Sequence, residues 1–499
     1  MSRLARTGRL ALQGPARARQ IWGAAPQTEP DLTIPMELTC STPVFESPTA
    51  TKVTTLSNGL RVASADMTMP STSLGLFIDT GSQYDAVPGT SHMLQHMAFK
   101  TSENFSHLKV VRAAELMGAQ LSAVAGRESM VYQVDTLKES VPEAVELLAD
   151  TVLRPKFLPW EVEEEKVAVK LLADTVLRPK FLPWEVEEEK VAVKLELDDM
   201  GNNPQMLLQE LSHTAAYGAQ SPLGTPLAGG RFLPHLSPEV LGKFVAEQYV
   251  PCRMVLSAAG YEHEELVSLA EASFGHLPSG TPQTSLPFSY VGGEVRESAQ
   301  PADEMTHFSL AFHGCGWKAD ELVPLCVLNT MMGGGTSFSA GGPGKGMYTR
   351  LFTNILNQHA FVTAASVFNS FYNDTGIFGI YGATTPEAMG QLVAVICDQA
   401  NKMGSDISAE ELGRAKNQLK SSLLMNLESR PILLEDIGRQ LLTYGAHTPP
   451  LELVDRIDKV TAADLANVTK KITSSPPSVA VYGDTTSVPR YDLIAKQFN

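Results

Sequence analysis

The chain has 499 residues, 43% of them apolar, and a formal net charge of −16. Its length predicts about two to four domains with packed cores, and no uncharged apolar run reaches the roughly 18 residues that a membrane-spanning helix requires. The acidic charge argues against a nucleic-acid ligand and favours a basic partner. Five scattered cysteines without a C-x-x-C pattern predict neither a disulfide framework nor a zinc site made of thiolates.

The first 28 residues differ in composition from the rest of the chain. They contain five arginines, several leucines and no acidic residue, and the first carboxylate is Glu29. Basic, acid-free segments that can form an amphipathic helix are typical of mitochondrial transit peptides, although a disordered basic tail has a similar composition. We therefore expect a transit peptide at 1–28, followed by an extended arm at 29–50 that is rich in Pro, Ser and Thr.

Regular structure is predicted to begin with a β-hairpin over Val53–Val62, which turns at Asn58-Gly59. A strand is expected next at Ser73–Thr80, and a helix at Ser91–Phe99. Helices and strands continue to alternate through the rest of an N-terminal domain, which we place at 51–274.

Residues 275–300 are dense in Pro, Ser, Gly and Thr, a composition that predicts a linker between two domains. The pattern then restarts in a C-terminal domain at 301–499, with a strand expected at His307–His313 and a helix from about Ala319 to Met332. Because this order of strand, glycine turn and helix repeats that of the N-terminal domain, two halves of related α+β design are expected.

A 24-residue segment occurs twice without a single change, at 147–170 and at 171–194. A solenoid needs at least three copies, and their surfaces drift while the core positions are retained. The lone perfect copy therefore indicates a recent duplication or an error in the gene model. Each copy contains two prolines, so the insertion is expected to form an additional helix and loop, or a bulge, rather than a longer helix.

The segment SHMLQH at 91–96 places His92 and His96 one helical turn apart, where two imidazoles can bind one zinc ion. Two histidines at this spacing are more often ordinary surface or core residues. The segment nevertheless resembles the H-x-x-E-H signature of the inverzincin metallopeptidases, with Gln95 in the position of the glutamate general base.

The resemblance implies a third zinc ligand, because pitrilysin-type inverzincins take a glutamate about 76 residues after the second histidine and carry another glutamate seven residues before it. Glu196 lies 100 residues after His96, and removing one 24-residue copy leaves a spacing of 76. The implied zinc ligands are therefore His92, His96 and Glu196, with Glu189 two helical turns earlier on the same face. Without this resemblance, Glu196 would be interpreted as a solvated residue of an acidic helix.

Gln95 changes the expected chemistry. Peptide hydrolysis needs a base that accepts a proton from the attacking water and later delivers it to the leaving amine, and a carboxamide cannot do this. Loss of a general base lowers the rate by about 10²–10⁴. We therefore expect the means of zinc binding to be retained while efficient hydrolysis is lost, and we assign no catalytic residue.

Half of the segment GGGTSFSAGGPGKG at 333–346 is glycine. Its backbone entropy predicts a mobile loop over a substrate cleft, with a flexible linker as the alternative. The P-loop signature is not met, because no Ser or Thr follows Lys345 directly. The segment resembles the glycine-rich loop of the alpha subunits of mitochondrial processing peptidases. That resemblance implies that the following residues bind substrate: Gly333, Gly334, Gly335, Ser337, Phe338, Ser339, Gly341, Gly342, Gly344, Lys345 and Gly346.

Three further segments are similar to these alpha subunits: LSNGLRVAS at 56–64, SPLGTPLAG at 221–229 and ESRPILLEDIGRQLLTYG at 428–445. The resemblance thus spans about 50–499. It implies an α+β fold of two homologous clamshell domains, each an antiparallel-rich mixed sheet covered by helices.

The same resemblance implies a catalytically impaired subunit in the mitochondrial matrix. It would bind basic presequences, the targeting segments of imported precursors, for cleavage by a zinc-containing beta subunit in a heterodimer. In plants and algae such subunits are also core proteins of respiratory complex III, on the matrix side of the inner membrane. A purely structural core protein and an active zinc endopeptidase are the alternatives.

Overall fold

The computed structural model describes residues 51–67, 69–102, 105–141, 145, 180–201, 203–281, 288–298, 304–336 and 347–498. The predicted transit peptide, the predicted arm and the first copy of the duplicated segment lie outside these residues. No helix among the described residues combines the length and the apolar character needed to cross a membrane.

The N-terminal half is built around a six-stranded mixed sheet. Its strands are β1 Lys52–Thr55, β2 Arg61–Ala65, β3 Ser71–Ile78, β4 Gln120–Ala125, β5 Met130–Leu137 and β6 Met254–Ala259. They lie in the order β1-β2-β6-β3-β5-β4. Every neighbouring pair is antiparallel except β2 and β6, which are parallel.

The C-terminal half contains a second six-stranded sheet. Its strands are β7 Gly293–Glu297, β8 Thr306–His313, β9 Gly334–Thr336, β10 Val362–Phe371, β11 Gly376–Thr384 and β12 Ser478–Tyr482. The order is β7-β12-β8-β11-β10-β9, and only β7 and β12 are parallel. Apart from the short strands β1 and β9, the two sheets have the same strand order and the same position of the parallel pair.

The helices of the N-terminal half are α1 Thr90–His96, α2 His107–Met117, α3 Pro183–Gly201, α4 Pro204–Tyr217, α5 Pro238–Gln248 and α6 His263–Phe274. Those of the C-terminal half are α7 Leu322–Met332, α8 Met389–Lys402, α9 Ala409–Leu427, α10 Arg430–Tyr444, α11 Pro450–Lys459, α12 Ala462–Thr473 and α13 Tyr491–Ala495. The predicted α+β class, with two related halves and antiparallel-rich mixed sheets, is confirmed.

The predicted hairpin is present as β1 and β2, which pair in antiparallel register around Asn58. The Asn58 side chain accepts from the Leu60 N–H at 3.1 Å and donates to the Phe274 carbonyl at 2.8 Å, so it fixes both the turn and the end of α6. The predicted linker at 275–300 needs correction, because it contains β7. That strand is retained in the sheet by its parallel ladder with β12 despite the turn-rich sequence around it.

One helix from each half of the chain packs on the sheet of the other half. Helix α10 packs on the N-terminal sheet, where Leu434 and Ile437 lie against Phe77 and Val255. A Cβ on Gly438 would lie 2.4 Å from the Phe77 ring, so only glycine permits this close approach. Helix α4 packs in turn on the C-terminal sheet. In the N-terminal sheet, α10 covers one face of β3 and the N-terminal core covers the other, which explains the almost continuous burial of this strand.

A buried polar network joins α4 to the hairpin turns of both sheets. Arg127, after β4, donates to both carboxylate oxygens of Glu210 at 3.1 and 2.9 Å. The His213 ring donates from Nδ1 to the Gln209 carbonyl at 2.7 Å and accepts at Nε2 from the Tyr372 hydroxyl, also at 2.7 Å. Burial lowers the pKa of His213 to about 3, so the imidazole is neutral and this pattern of one donor and one acceptor is satisfied.

Candidate functional site

Helix α1, which contains both histidines of the predicted site, is held at its first turn by Asp85. The Asp85 carboxylate accepts from the backbone N–H groups of Gly89 and Ser91 at 3.1 Å and from the Ser91 hydroxyl. Gly89 has φ +91°, and its added Cβ would lie 2.9 Å from the backbone nitrogen of Gly229. The last glycine of the SPLGTPLAG segment thus packs directly against the start of α1.

The structure brings the three implied metal ligands together. The Glu196 Oε2 atom on α3 lies 2.8 Å from Nε2 of His96 and 3.3 Å from Nε2 of His92. The two imidazole rings are 4.9 Å apart, edge to face. One ligand atom from each of the three residues lies within 4.8 Å of the others. Helical periodicity alone predicted this placement of His92 beside His96, whereas Glu196 was implied as the third member by the family resemblance.

Glu189 also faces α1, two turns before Glu196, as the sequence predicted. Its carboxylate lies 3.5 Å from Nδ1 of His96 and 2.5 Å from the ammonium of Lys100. The sequence analysis missed Lys100, although its position one turn beyond His96 was a signal for it. Lys100 compensates the charge of Glu189. The same carboxylate faces Nδ1 of His96, the ring nitrogen that does not face Glu196, and so helps to orient the ring.

Gln95 is turned toward the sheet. Its carbonyl oxygen accepts the backbone N–H of Ala125 at 2.8 Å, at the end of edge strand β4. A carboxamide in this position has no titratable proton in the useful pH range. The residue therefore ties α1 to the edge of the sheet and offers no proton acceptor. Sequence reasoning identified the missing base, but not the contact with Ala125.

The donor set fits a zinc ion. Two imidazoles and one carboxylate are a known zinc ligand set, and bonds of about 2.0–2.2 Å in a tetrahedron place ligand atoms roughly 3.4 Å apart. The 3.3 Å separation between His92 and Glu196 meets that spacing, the 2.8 Å separation between His96 and Glu196 is shorter than it, and the three ligand atoms all lie within 4.8 Å of one another. Burial lowers the pKa of His92, which favours the neutral imidazole that binds metal.

The beginning of the glycine-rich segment is more ordered than predicted. Residues Gly334–Thr336 form β9, which pairs with Ala364–Ser366 of β10 at the edge of the C-terminal sheet. Gly333, just before it, accepts from the Val367 N–H at 3.0 Å. The prediction of a mobile loop over 333–346 is therefore wrong for this stretch, because the backbone of β10 offers a ladder that composition alone does not reveal.

Two of the glycines are required by geometry. Gly333 has φ +57°, and its added Cβ would lie 2.3 Å from the Thr349 side chain. Gly334 has φ +126°, and its added Cβ would lie 2.2 Å from the Ala365 carbonyl oxygen. Among the described residues, no atom lies within 4 Å of the Cβ that would be added at Gly335. The other predicted substrate-binding residues lie outside the described residues: Ser337, Phe338, Ser339, Gly341, Gly342, Gly344, Lys345 and Gly346.

Comparison with known families and proteins gives matches over most of the chain. The insulinase family, peptidase family M16, matches residues 61–171 and 166–230, and the inactive domain of peptidase M16 matches 235–419. The first match breaks inside the duplicated segment, as expected if one copy is an insertion relative to the family.

Among curated proteins, the chain is 44% identical over 468 residues to the mitochondrial-processing peptidase subunit alpha of Solanum tuberosum, covering 91% of the chain and 86% of that protein. The subunit alpha of Homo sapiens is 35% identical, with coverage of 89% and 84%. Among solved structures, a chain of complex III from Candida albicans superposes with a TM-score of 0.73 at 20% identity, covering 90% of this chain and 99% of that one. That last likeness concerns the fold alone.

Proposed function

The chain belongs to peptidase family M16, in the group of mitochondrial-processing-peptidase alpha subunits, and on that premise we propose that it recognises basic presequences in mitochondria without cleaving them. In this proposal cleavage is left to a zinc-containing beta subunit with which the chain forms a heterodimer. The proposal concerns the residues of the α1–α3 site and of the glycine-rich segment.

One observation carries the proposal. The site retains His92, His96 and Glu196 in metal-binding proximity, yet Gln95 stands where the hydrolytic reaction needs a proton acceptor. Its carbonyl oxygen is already engaged by the Ala125 N–H. A metal ion at this site would be held by the two imidazoles and the carboxylate, and it would supply positive charge to a nearby carbonyl oxygen. Gln95 cannot take the proton of an attacking water, and the nearby carboxylate of Glu189 is paired with Lys100, so in this proposal bound peptide is retained intact.

The charge of the chain supports a basic ligand. A net charge of −16 attracts a peptide that contains several arginines and no acidic residue. The chain's own residues 1–28 are a peptide of this kind, with five arginines separated by uncharged residues. This interaction is expected to weaken as ionic strength rises, because exposed charges are screened by salt.

A synthetic peptide of residues 1–28 provides the test. Its fluorescence anisotropy is measured with the purified chain, alone and with a beta subunit, in parallel with a peptide in which the five arginines are replaced by glutamine. We expect the basic peptide to bind, the glutamine peptide to bind at least about tenfold more weakly, and cleavage to require the beta subunit. Equal binding of the two peptides would contradict the proposal.

The fold likeness to a complex III chain gives the test a second informative outcome. If the chain binds neither peptide but co-purifies with complex III and is needed for its assembly, the structural role of a core protein replaces presequence recognition. If it both binds the basic peptide and assembles into complex III, the two roles coexist in one polypeptide.

A further inference from the structure

The likeness between the two halves locates a second cleft. Strands β2-β6-β3-β5-β4 of the N-terminal sheet correspond in order and direction to β7-β12-β8-β11-β10 of the C-terminal sheet. Helix α1 follows β3 and packs against α3, whereas α7 follows β8 and packs against α9. The space between α7 and α9 is therefore the C-terminal counterpart of the space that holds His92, His96 and Glu196.

This α7–α9 cleft has a volume of about 440 Å³, within the usual range of ligand pockets. Its described lining lacks the two histidines of the N-terminal site and consists mainly of hydroxyl, amide and thioether side chains. Representative members are Thr330, Gln418, Ser422 and Met425. Met425 is 65% exposed and Tyr348, at the rim, is 73% exposed, so the cleft presents apolar surface that the described residues leave uncovered.

The charged groups of the α7–α9 cleft are already paired. Arg350 donates to both carboxylate oxygens of Glu411 at 2.7 and 2.9 Å, and it also donates to the Lys402 carbonyl at 2.9 Å. Arg414 pairs with Glu410 at 2.6 Å. A ligand with its own charge would therefore find no unpaired charged partner among the described lining residues, whereas uncharged side chains lose little free energy on entering.

The α7–α9 cleft adjoins the described start of the glycine-rich segment, residues 333–336. Thr330 and Met331 of its wall lie three and two residues before Gly333, and Thr349 of the same wall contacts Gly333. A peptide that reaches residues 333–336 therefore lies at the mouth of this cleft. Arg350, which follows Thr349, is held by its hydrogen bonds to Glu411 and to the Lys402 carbonyl. These bonds fix the wall of the cleft at Thr349, so the cleft does not need a ligand to form.

We propose that the α7–α9 cleft binds the uncharged stretch of a basic presequence, namely the small, hydroxyl and apolar side chains that separate its arginines. This inference rests on the proposed function and divides the recognition of one peptide between two surfaces. The net negative charge of the chain attracts the arginines, and the neutral cleft selects what lies between them. Specificity then depends on the spacing of charged and uncharged residues as well as on total charge.

The test uses the full chain and the labelled peptide of residues 1–28. Ser422→Trp fills the cleft from an exposed position on α9, and Asn417→Trp adds the same side chain to an exposed position of α9 that does not line the cleft. We expect Ser422→Trp to weaken peptide binding by about tenfold and Asn417→Trp to leave it within about twofold of the wild type.

A positional readout completes the test. A photo-reactive benzoyl-phenylalanine at position 422 is expected to crosslink to the peptide between its arginines, and one at position 417 is not. If the wild type binds the peptide but both tryptophan variants bind equally and position 422 gives no crosslink, the cleft assignment is overturned while presequence recognition stands. If the wild type itself does not bind, the proposed function fails, and this inference fails with it.

Discussion

Replacing Gly334 with alanine tests whether strand β9 can detach from the sheet while the C-terminal core stays folded. The backbone there has φ +126°, a conformation that L side chains rarely adopt and that adds about 1–3 kcal/mol of strain. The added Cβ would also lie 2.2 Å from the Ala365 carbonyl oxygen, which belongs to the backbone of β10 and cannot rotate away. The total therefore exceeds about 3 kcal/mol.

Detaching β9 relieves this strain at a smaller cost. The strand pairs with β10 over only three residues at the edge of the sheet, and each backbone hydrogen bond contributes a net of roughly 0.5–1.5 kcal/mol. We therefore expect β9 to leave the sheet in Gly334→Ala while the C-terminal core stays folded. The melting temperature should change little, and presequence binding should weaken because the base of the segment is no longer fixed.

Hydrogen–deuterium exchange is the direct assay. Gly334→Ala should remove protection from the amides of 334–336 and from Val367, whose N–H donates to the Gly333 carbonyl, while the Gly333 N–H keeps its bond to the Asn329 carbonyl. Gly335→Ala is the matched control, since no atom of the described part of the chain lies within 4 Å of its added Cβ and protection should persist. Equal protection in the two variants would refute the assignment of strain to Gly334, and global unfolding of Gly334→Ala would refute the claim that the strand detaches alone.

Three further predictions concern other residues. Gln95→Glu restores a proton acceptor, so the zinc-loaded variant should cleave the basic peptide about 10²–10⁴ times faster than the wild type, and an unchanged rate in a peptide assay would contradict the assigned role. His96→Asn should lower the zinc content after dialysis from about one ion per chain to background, as measured by plasma emission; equal content would remove the metal assignment. The pKa of His213 is about 3 in the folded chain and about 6.5 in the unfolded chain. As the pH falls below 6.5, His213 is therefore protonated in the unfolded state and stays neutral in the folded state. The free energy of unfolding in urea should therefore fall by up to about 1.4 kcal/mol per pH unit between pH 6.5 and 5. The fall should be less steep in His213→Gln. Identical slopes would show that this histidine does not govern the loss of stability at acidic pH.

Local patterns predicted the parts of the fold that depend on local physics. The apolar run and the Asn58-Gly59 turn identified the first hairpin, and helical spacing placed His92 beside His96 and Glu189 beside Glu196, each pair on one face of its own helix. Within one element the sequence interval corresponds to a fixed number of turns or strand residues, so these pairs meet wherever the element forms. That the two helices face each other was implied only by the family resemblance.

Contacts between distant segments could not be read in this way. Nothing in the composition of α10 distinguishes a helix that covers its own sheet from one that covers the sheet of the other half. Gly438 was visible only as a weak helix residue, although its lack of a side chain is what allows the contact with Phe77. Strand β9 was missed for a related reason, because its glycines have low strand propensity and the partner strand supplies the order.

The capping of α1 lies between these two cases. Asp85 stands in a turn-rich stretch before the histidine helix, which is a recognisable signal, but its acceptance of Gly89 and Ser91 depends on a chain reversal that the sequence does not specify. Lys100 was equally visible one turn after His96, and its role became definite only through the carboxylate that it contacts.

The fate of the basic peptide on the isolated, zinc-loaded chain tests the central claim most directly. Anisotropy and mass spectrometry on the same sample report binding and peptide integrity together. We predict saturable binding with the peptide intact after hours of incubation, and cleavage once a beta subunit is added. Rapid hydrolysis by the isolated chain would contradict the account, because Gln95 would then be no obstacle to the transfer of a proton.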